Sequence, residues 1–174
     1  MNKKNPLVWW LCLLFCLVAL PAGATTISIQ IVQMDDAHED ASDSSLLIEE
    51  SIMDFMFSQG YIVSNSPIIS DKGKAQNGMI LSLDDAINGG ADYLAYITVY
   101  FNRKKSDASE LNLLSNVEQA QWSLVKVQDR QQIDAGTEKP GPTTSKLREF
   151  SPNFVLPFQN LGRKIHKSFS IITY

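Results

Sequence analysis

The sequence predicts an α/β (α+β) sandwich, a mixed sheet of about five strands packed by two long helices and one short helix. Three segments lead to this fold class. Residues 26–34 alternate apolar and polar side chains, which is typical of a strand with a buried face. Residues 44–59 repeat apolar side chains at helical spacing, and residues 91–101 are apolar or aromatic at nearly every position. Helices that alternate with strands early in a chain indicate a sheet covered by helices.

A polar, acidic segment separates the first strand from the first helix. Residues 35–43 (DDAHEDASD) are read as a loop, and the helix is predicted over residues 44–59. Ser44 or Ser45 can cap the first turn of this helix, and Gly60 is placed to end it. The buried side of the strand carries Ile27, Ile29 and Ile31. The apolar stripe of the helix comprises Leu47, Ile48, Ile52, Phe55 and Met56.

The next segment is predicted to be mostly irregular. Residues 61–64 form a short strand, and residues 65–81 are read as a loop because they contain proline and two glycines. Residues 82–85 (SLDD) match a capping box with Asp in place of Glu, which predicts a short helix ending near Asn88. The two glycines that follow then stop this helix.

The strongest strand comes next. Residues 91–101 (ADYLAYITVYF) have apolar side chains on both faces, which indicates a central strand covered on both faces, or one face used for a partner. Residues 117–127 and 132–137 are predicted to form two further strands, joined by a turn near Asp129 and Arg130. The aromatic side chains that we expect in the core are Tyr93, Tyr96, Tyr100 and Phe101.

A terminal helix is predicted after an exposed loop. It opens at Pro152 or Pro157, because proline is tolerated in the first turn. Its apolar stripe, which we expect to dock on the sheet, comprises Phe158, Leu161, Ile165 and Phe169. Its bases Arg163, Lys164 and Lys167 are interpreted as stabilising the carboxyl end of the helix dipole.

Residues 1–24 read as a cleavable secretory signal peptide. A short basic start precedes an apolar run over residues 7–20, and a proline and small residues follow this run. The run is short for a membrane-spanning helix, which needs roughly 20 residues. We expect cleavage between Ala24 and Thr25, which leaves residues 25–174 as a single periplasmic or secreted domain. The alternative is an uncleaved membrane anchor.

Cleavage changes the composition of the working protein. Both cysteines, Cys12 and Cys16, leave with the signal, so the mature chain has no disulfide or thiol chemistry. Removal of Lys3 and Lys4 leaves 13 basic and 19 acidic residues, a net charge of −6. Because nucleic-acid binding needs a basic face, we expect no nucleic-acid partner.

Three short motifs resemble one family of envelope domains. Residues 60–63 (GYIV) end the first helix, residues 90–94 (GADYL) enter the long strand, and residues 127–129 (VQD) lie in the hairpin. In this order they resemble the amino-terminal domain of TolB and the related domains of CsgG-type and LpoB-type proteins. In those families the GADY segment starts the central strand, and a hairpin with an aspartate near its tip follows.

The resemblance covers nearly the whole mature chain in element order. It implies a role in cell-envelope assembly or protein–protein docking, without catalysis. The sequence carries neither the propeller of TolB nor the acylated cysteine usual in the other two types, so we expect a free-standing version. Periplasmic flagellar-accessory proteins use the same kind of domain, which leaves a motility role open.

Residues 35–43 contain the one dense group of potential metal ligands in the sequence, including Asp36, His38 and Glu39. Their spacing matches no calcium loop, so a solvated loop and a weak cation site remain as alternatives. His166 is near Ser168 in sequence without a neighbouring carboxylate, and we interpret it as a surface residue rather than part of a triad. A basic loop at residues 103–105 reads either as solvated or as a contact for an anionic surface.

These observations lead to one prediction of function and one alternative. We predict an exported, non-enzymatic periplasmic adaptor or assembly factor with an envelope or flagellar protein partner and no membrane span after cleavage, and homo-oligomerisation is left open. The sequence assigns no catalytic, cofactor-binding or metal-binding residue. The alternative is a periplasmic protein that binds a small ligand or divalent metal through residues 35–43.

Overall fold

The structure is a computed structural model that describes residues 24–34, 40–70, 75–101, 117–139 and 156–172. Within these ranges it contains six strands and three helices. The elements in chain order are β1 (Thr26–Met34), α1 (Asp40–Ser58), β2 (Ile62–Asn65), β3 (Ile69–Ser70), α2 (Ala75–Asn88), β4 (Tyr93–Phe101), β5 (Val117–Lys126), β6 (Gln131–Glu138) and α3 (Leu156–Ile172). The predicted α/β sandwich is confirmed.

The strands form one mixed sheet in the order β2-β1-β4-β5-β6, and β3 extends the β2 edge by pairing with β1. β1 is parallel to β2, β3 and β4, whereas β4, β5 and β6 form antiparallel pairs. The parallel strands begin at one edge of the sheet, which we call the amino-terminal edge. The β5–β6 turn lies at this same edge, because Lys126 at the end of β5 pairs with Tyr93 and Gln131. The ends of α1 and α2 also lie there, because each helix is followed directly by a parallel strand.

One face of the sheet, the two-helix face, is covered by α1 and α3. Alternate residues of each strand point to this face, as the period of two requires. The core here contains Ile27, Ile29, Ile31, Ala95, Ile97, Val99, Val117, Ala120, Trp122 and Leu124 from the strands, and Ile48, Ile52, Met56, Leu161, Ile165 and Phe169 from the helices. The predicted docking of the terminal helix stripe is confirmed for Leu161, Ile165 and Phe169.

The opposite face, the one-helix face, is covered by α2 alone. Its core is formed by Val32, Leu83, Ala86, Ala91, Leu94, Tyr96, Val125 and Val127. Gln30 is buried under α2, and its side-chain amide donates to the carbonyl oxygens of Ile31 and Pro67 at 2.9 Å. The Ser82 hydroxyl donates to the Gln30 carbonyl oxygen at 3.3 Å. The Gln30 side chain is therefore hydrogen-bonded at both of its polar atoms, as burial demands.

The first helix begins earlier than the sequence predicts. Residues 40–43 are helical rather than part of a loop, so the predicted caps Ser44 and Ser45 are wrong. Both serines are buried within α1, and the Ser45 hydroxyl donates to the Gln33 side chain on β1 at 3.3 Å. Ser45 therefore connects α1 to β1 and does not cap the start of the helix. Gly60 ends the helix region as predicted, with a φ of 87° that favours glycine.

The second helix is also longer than predicted. It starts at Ala75, so the loop prediction for residues 65–81 is wrong over its second half, and β3 interrupts its first half. Ser82 lies inside the helix and donates to the Gly78 carbonyl at 2.8 Å, one turn earlier, instead of capping an amino terminus. Gly78 misled the loop prediction. A Cβ there would lie 2.9 Å from the Tyr96 hydroxyl, which gives this glycine a packing role.

α1 and α3 approach each other closely at a glycine. A Cβ on Gly162 would lie 2.8 Å from Cδ1 of Phe55, so the two helices meet where α3 has no side chain. Beyond this contact, His166 accepts or donates a 2.9 Å hydrogen bond with the Tyr61 hydroxyl and packs edge-on against Phe55 and Tyr61. The interpretation of His166 as a surface residue is wrong, since it is half-buried. Burial, followed by the nearby Tyr93, raises the pKa of Tyr61.

Three further predictions concern α3 and the hairpin. The hairpin is confirmed, with Asp129 and Arg130 in its four-residue turn. Pro157 lies in the first turn of α3, as one of the two predicted starts requires. No base lies in the last turn of α3, so the interpretation of its three bases through the helix dipole is wrong. The helix continues to Ile172 and places them in its middle.

Several sequence predictions lie outside the described residues. They include the signal segment before Ala24, residues 35–39 of the acidic segment and the basic loop at residues 103–105. Among the helices that the structure does describe, none is long and apolar enough to cross a bilayer.

Candidate docking site at the amino-terminal edge of the sheet

A cavity of about 620 Å³ opens at the amino-terminal edge of the sheet. It lies where the first residues of β1 and β4, the end of α2 and the β5–β6 turn meet. Its lining residues are Thr25, Ile87, Ala91, Asp92, Tyr93, Lys126, Val127, Gln128 and Arg130. Two of the three motifs that carry the family resemblance, residues 90–94 and 127–129, therefore meet at one cavity.

Asp92 connects the strands that line this cavity through three hydrogen bonds. One of its carboxylate oxygens accepts the Thr26 backbone N–H at 2.8 Å, and the Asp92 N–H donates to the Thr26 carbonyl at 2.9 Å. Its own carbonyl accepts the Val127 N–H at 2.9 Å. A single exposed residue thus joins β1, β4 and the hairpin, which fixes the geometry of the cavity mouth.

The hairpin side of the cavity is held by charged pairs. Arg130 donates to the Asp84 carboxylate on α2 at 3.1 Å, and Lys126 lies 3.3 Å from Asp129 within the turn. Among the residues described, Arg130 is the one non-glycine residue with a positive φ, of 56°. The left-handed region is unfavourable by roughly 1–2 kcal/mol for a residue with a Cβ. Such a backbone outlier at a cavity is an observation from which a functional role can be inferred.

One exposed apolar side chain lines this charged cavity, and two others are exposed on α2 and at the same edge of the sheet. Ile87 lines it and is 41% exposed, and Ile80 lies two turns earlier on the same side of α2 at 56% exposure. At the same edge of the sheet, Ile62 begins β2 with 53% exposure. Large apolar side chains that are exposed together mark interaction surfaces more often than isolated ones do.

A second cleft, of about 370 Å³, lies between β6 and α3. Its side chains include Ser168, which donates to Asp134 at 2.5 Å, and Lys164, which is paired with Glu138. The sequence prediction that no carboxylate lies near Ser168 is wrong, because β6 brings Asp134 to it. His166 contacts Tyr61 instead, since residues two apart on a helix point in nearly opposite directions. Ser168 and His166 therefore do not converge as in a catalytic triad.

The β6 strand itself is held by an aromatic side chain. Trp122 lies opposite Gly136 in the β5–β6 register, and a Cβ on Gly136 would lie 2.9 Å from the indole nitrogen. The ring therefore covers the backbone of the edge strand at a position where any larger residue would displace it.

Glu49 is a buried carboxyl on the two-helix face. It is 3% exposed, and among the described residues one of its oxygens has no hydrogen-bond partner. Burial raises the pKa of Glu49 above its ordinary value of 4.5, the Asn65 side chain opposes this by a hydrogen bond, and Glu50 adds to it. Apolar periodicity does not reveal a buried carboxyl of this kind, because the pattern marks only the apolar positions of α1.

The hypothesis of a cation site in residues 35–43 is not tested by the described residues. Within the described ranges, no group of three or more His, Cys, Asp or Glu side chains is placed to hold a metal ion. His38 and its neighbours at residues 35–39 lie outside those ranges. A cation site in the acidic segment remains a prediction.

The fold and the cavity define an α/β-sandwich protein with a charged cleft at the amino-terminal edge of its sheet. Residues 26–149 match a family model described as "Uncharacterised protein", and the chain belongs to that family. No curated protein matches the chain in sequence.

Among solved structures, the chain is similar to a dodecamer of a PelC variant from Paraburkholderia phytofirmans, with 12% identity and a TM-score of 0.44 over 79% of this chain and 89% of that chain. It is similar to the PelC dodecamer of the same organism, with 16% identity, a TM-score of 0.41 and coverage of 79% and 88%. A third is lipoprotein GNA1162 from Neisseria meningitidis, with 17% identity, a TM-score of 0.41 and coverage of 71% and 90%. Likenesses of this degree establish no shared function, and the resemblance to TolB, CsgG and LpoB domains stays a prediction.

Proposed function

We propose that this protein is an exported, non-enzymatic adaptor or assembly factor of the cell envelope, and that it binds a protein partner at the cavity on the amino-terminal edge. The observation that carries the proposal is the composition of that cavity, in which exposed Ile87 lies beside Asp92, Lys126 and Arg130. Export is supported by the signal pattern of residues 1–24.

The arrangement suits binding because its charged groups already favour one arrangement before a partner arrives. Arg130 is paired with Asp84 and Lys126 with Asp129, so part of the ordering of these exposed side chains precedes binding. The partner we expect is a segment of an envelope protein with an apolar side chain that covers Ile87 and polar groups that reach Lys126 and Arg130. Apolar contact then supplies affinity, and the charges supply orientation.

The position of Thr25 supports an accessible site. Thr25 is the first residue after the predicted cleavage position, and it lines the same cavity. Its carbonyl accepts the Ile62 N–H at 3.0 Å, so the mature chain is tied to the sheet from its first residue. Removal of the signal leaves the cavity mouth open to a periplasmic partner, whereas a retained anchor holds the same edge against the membrane.

The test is a pull-down from envelope extract with residues 25–174 as bait. We expect a defined partner, recovered by the wild-type chain and lost with Ile87→Ser combined with Arg130→Gly. Leu81→Ser is the matched control, since Leu81 is 62% exposed on the same helix without lining the cavity. A partner retained by the double variant would contradict the site, and a chain without any partner would contradict the adaptor function.

A further inference from the structure

The two helices of the two-helix face differ completely in charge. α1 contains the acids Asp40, Asp43, Glu49, Glu50 and Asp54 and no base. α3 contains the bases Arg163, Lys164 and Lys167 and no acid. The helices lie side by side, with Phe55 against Gly162. They run in the same direction, because a later residue of the α1 segment, Tyr61, contacts a later residue of α3, His166. The outer layer of this face is therefore acidic on one half and basic on the other.

Two of the acids on α1 and all three bases on α3 are exposed to solvent. Glu50 and Asp54 are exposed on α1, one turn apart, and Arg163, Lys164 and Lys167 are exposed on one stripe of α3. Lys164 is already paired with Glu138 on β6. Since none of the three bases lies in the last turn of α3, the helix dipole does not account for their position.

Apolar side chains bracket the acidic pair on α1. Leu46 and Leu47 precede Glu50 and are 46% and 37% exposed, and Phe57 follows Asp54 with 74% exposure. Exposed ion pairs alone contribute little to association, typically about 0–1 kcal/mol each. Apolar side chains beside complementary charges provide both a driving force and a fixed orientation.

We propose that this layer is a self-association surface, on which a second copy of the chain docks so that α1 of each copy lies against α3 of the other. The two contacts are then equivalent and related by a two-fold axis, as in most homodimers. This inference is independent of the docking cavity, which lies at the edge of the sheet rather than on its helical face.

The size of the layer fits this occupant. Helices of 19 and 17 residues are about 28 and 25 Å long, and two packed side by side are about 20 Å wide. A surface of this extent is of the order of the roughly 800 Å² that each partner contributes to a standard interface. A second copy also supplies the required complement, because it presents the same acidic and basic halves in reverse order.

Charge exchange between two variants tests the proposal. Glu50→Lys with Asp54→Lys makes α1 less acidic, and Arg163→Glu with Lys167→Glu reverses two of the three bases of α3. We expect residues 25–174 to be dimeric by light scattering coupled to size exclusion, and each double variant alone to dissociate at least tenfold more readily. An equimolar mixture of the two variants should form a heterodimer, because both of its α1–α3 contacts are again complementary.

Circular dichroism of each variant shows whether the fold persists, and Asp85→Lys on exposed α2 is the control that should leave the dimer unchanged. A monomeric wild-type chain, or variants that dimerise as well as wild type, would overturn the proposal. Folded variants whose mixture remains monomeric would also overturn it. A wild-type mass above that of a dimer would overturn the two-fold arrangement.

Discussion

The two faces of this sheet use the same strands and are covered to different extents. Among the described residues, the two-helix face buries sixteen apolar side chains in one cluster, whereas the one-helix face buries eight. α2 covers β1 and β4 on the one-helix face, and on that face the β5–β6 half carries Gln121, Gln132 and Thr137, all exposed. The two-helix face therefore contains the larger part of the apolar core, whereas half of the one-helix face presents polar strand residues to solvent.

The strand sequences record this difference. β4 is buried at six successive residues, from Leu94 to Val99, because helices lie on both of its sides. β5 alternates, with Ala120, Trp122 and Leu124 buried and Gln121 exposed between them. A continuous apolar run therefore indicates two covered faces, and strict alternation indicates one.

The largest expected effect is the difference in the free energy of unfolding between leucine-to-alanine substitutions on the two helical layers. Leu161→Ala on α3 removes a fully buried side chain and should lower the free energy of unfolding by about 2–5 kcal/mol. Leu81→Ala on α2 removes one that is 62% exposed and should change it by about 0.5 kcal/mol or less. Urea denaturation measures both, and equal losses would contradict the comparison.

Glycines in the two layers provide a second comparison. Gly162→Ala places a Cβ against the Phe55 ring at 2.8 Å and should destabilise the protein by about 1–3 kcal/mol. Gly78→Ala meets only the terminal hydroxyl of Tyr96, and a helix favours alanine over glycine by about 1 kcal/mol. We expect a much smaller loss for Gly78→Ala in thermal denaturation. The reverse order would show that α2 is the more tightly packed layer.

Buried polar groups on the two faces should respond to pH in different ways. The raised pKa of Glu49 means that this carboxyl ionises near pH 4.5 in the unfolded chain and at a higher pH in the folded chain. Stability is therefore lost as pH rises from there through the folded-state pKa, at about 1.4 kcal/mol for each unit between the two pKa values. Glu49→Gln should raise the melting temperature at neutral pH and leave it nearly unchanged below about pH 4.

Gln30→Met is the comparison on the one-helix face. It leaves the Pro67 carbonyl without its side-chain donor, whereas the Ser82 hydroxyl keeps the Gly78 carbonyl as its acceptor. The substitution should cost about 1–3 kcal/mol at every pH, since no ionisable group is changed. A Glu49→Gln effect that is equally independent of pH would contradict the assignment of Glu49 as the titrating group.

The smallest expected effect is at the β5–β6 turn. Arg130→Ala and Arg130→Gly both remove the exposed ion pair with Asp84, worth about 0–1 kcal/mol. Because φ is 56° at this position, Arg130→Gly should be the more stable of the two by about 1 kcal/mol. Urea midpoints measure the difference, and two equal midpoints would show that the turn relaxes when the ion pair is lost.

Much of the fold could be predicted from the sequence, because periodicity reports burial directly. β1, β4 and the apolar stripe of α3 were found from alternation, continuous apolarity and helical spacing, respectively. The starts of α1 and α2 were missed for a different reason. Their serines and Gly78 are signals for caps and loops in isolation, and tertiary contacts with Gln33, Gln30 and Tyr96 override them.

The candidate site was only partly visible. The sequence singled out the segments around Asp92 and Asp129 through their resemblance to envelope domains, yet nothing in it places them on either side of one cavity. The Arg130–Asp84 pair joins residues 46 positions apart and has no local signature. Contacts of this kind depend on the sheet order, which places the hairpin beside β4 and next to α2.

The position of β1 has a consequence for the order in which the chain can fold. β1 is the first described strand to be synthesised, and it lies between β2 and β4. The contact between Thr26 and Asp92 spans 66 residues, so the strand must wait for a late segment before its second edge is paired. Contacts between distant residues slow folding because a long loop must close first. In a nascent chain, β1 therefore cannot complete its pairing on both edges until β4 has emerged.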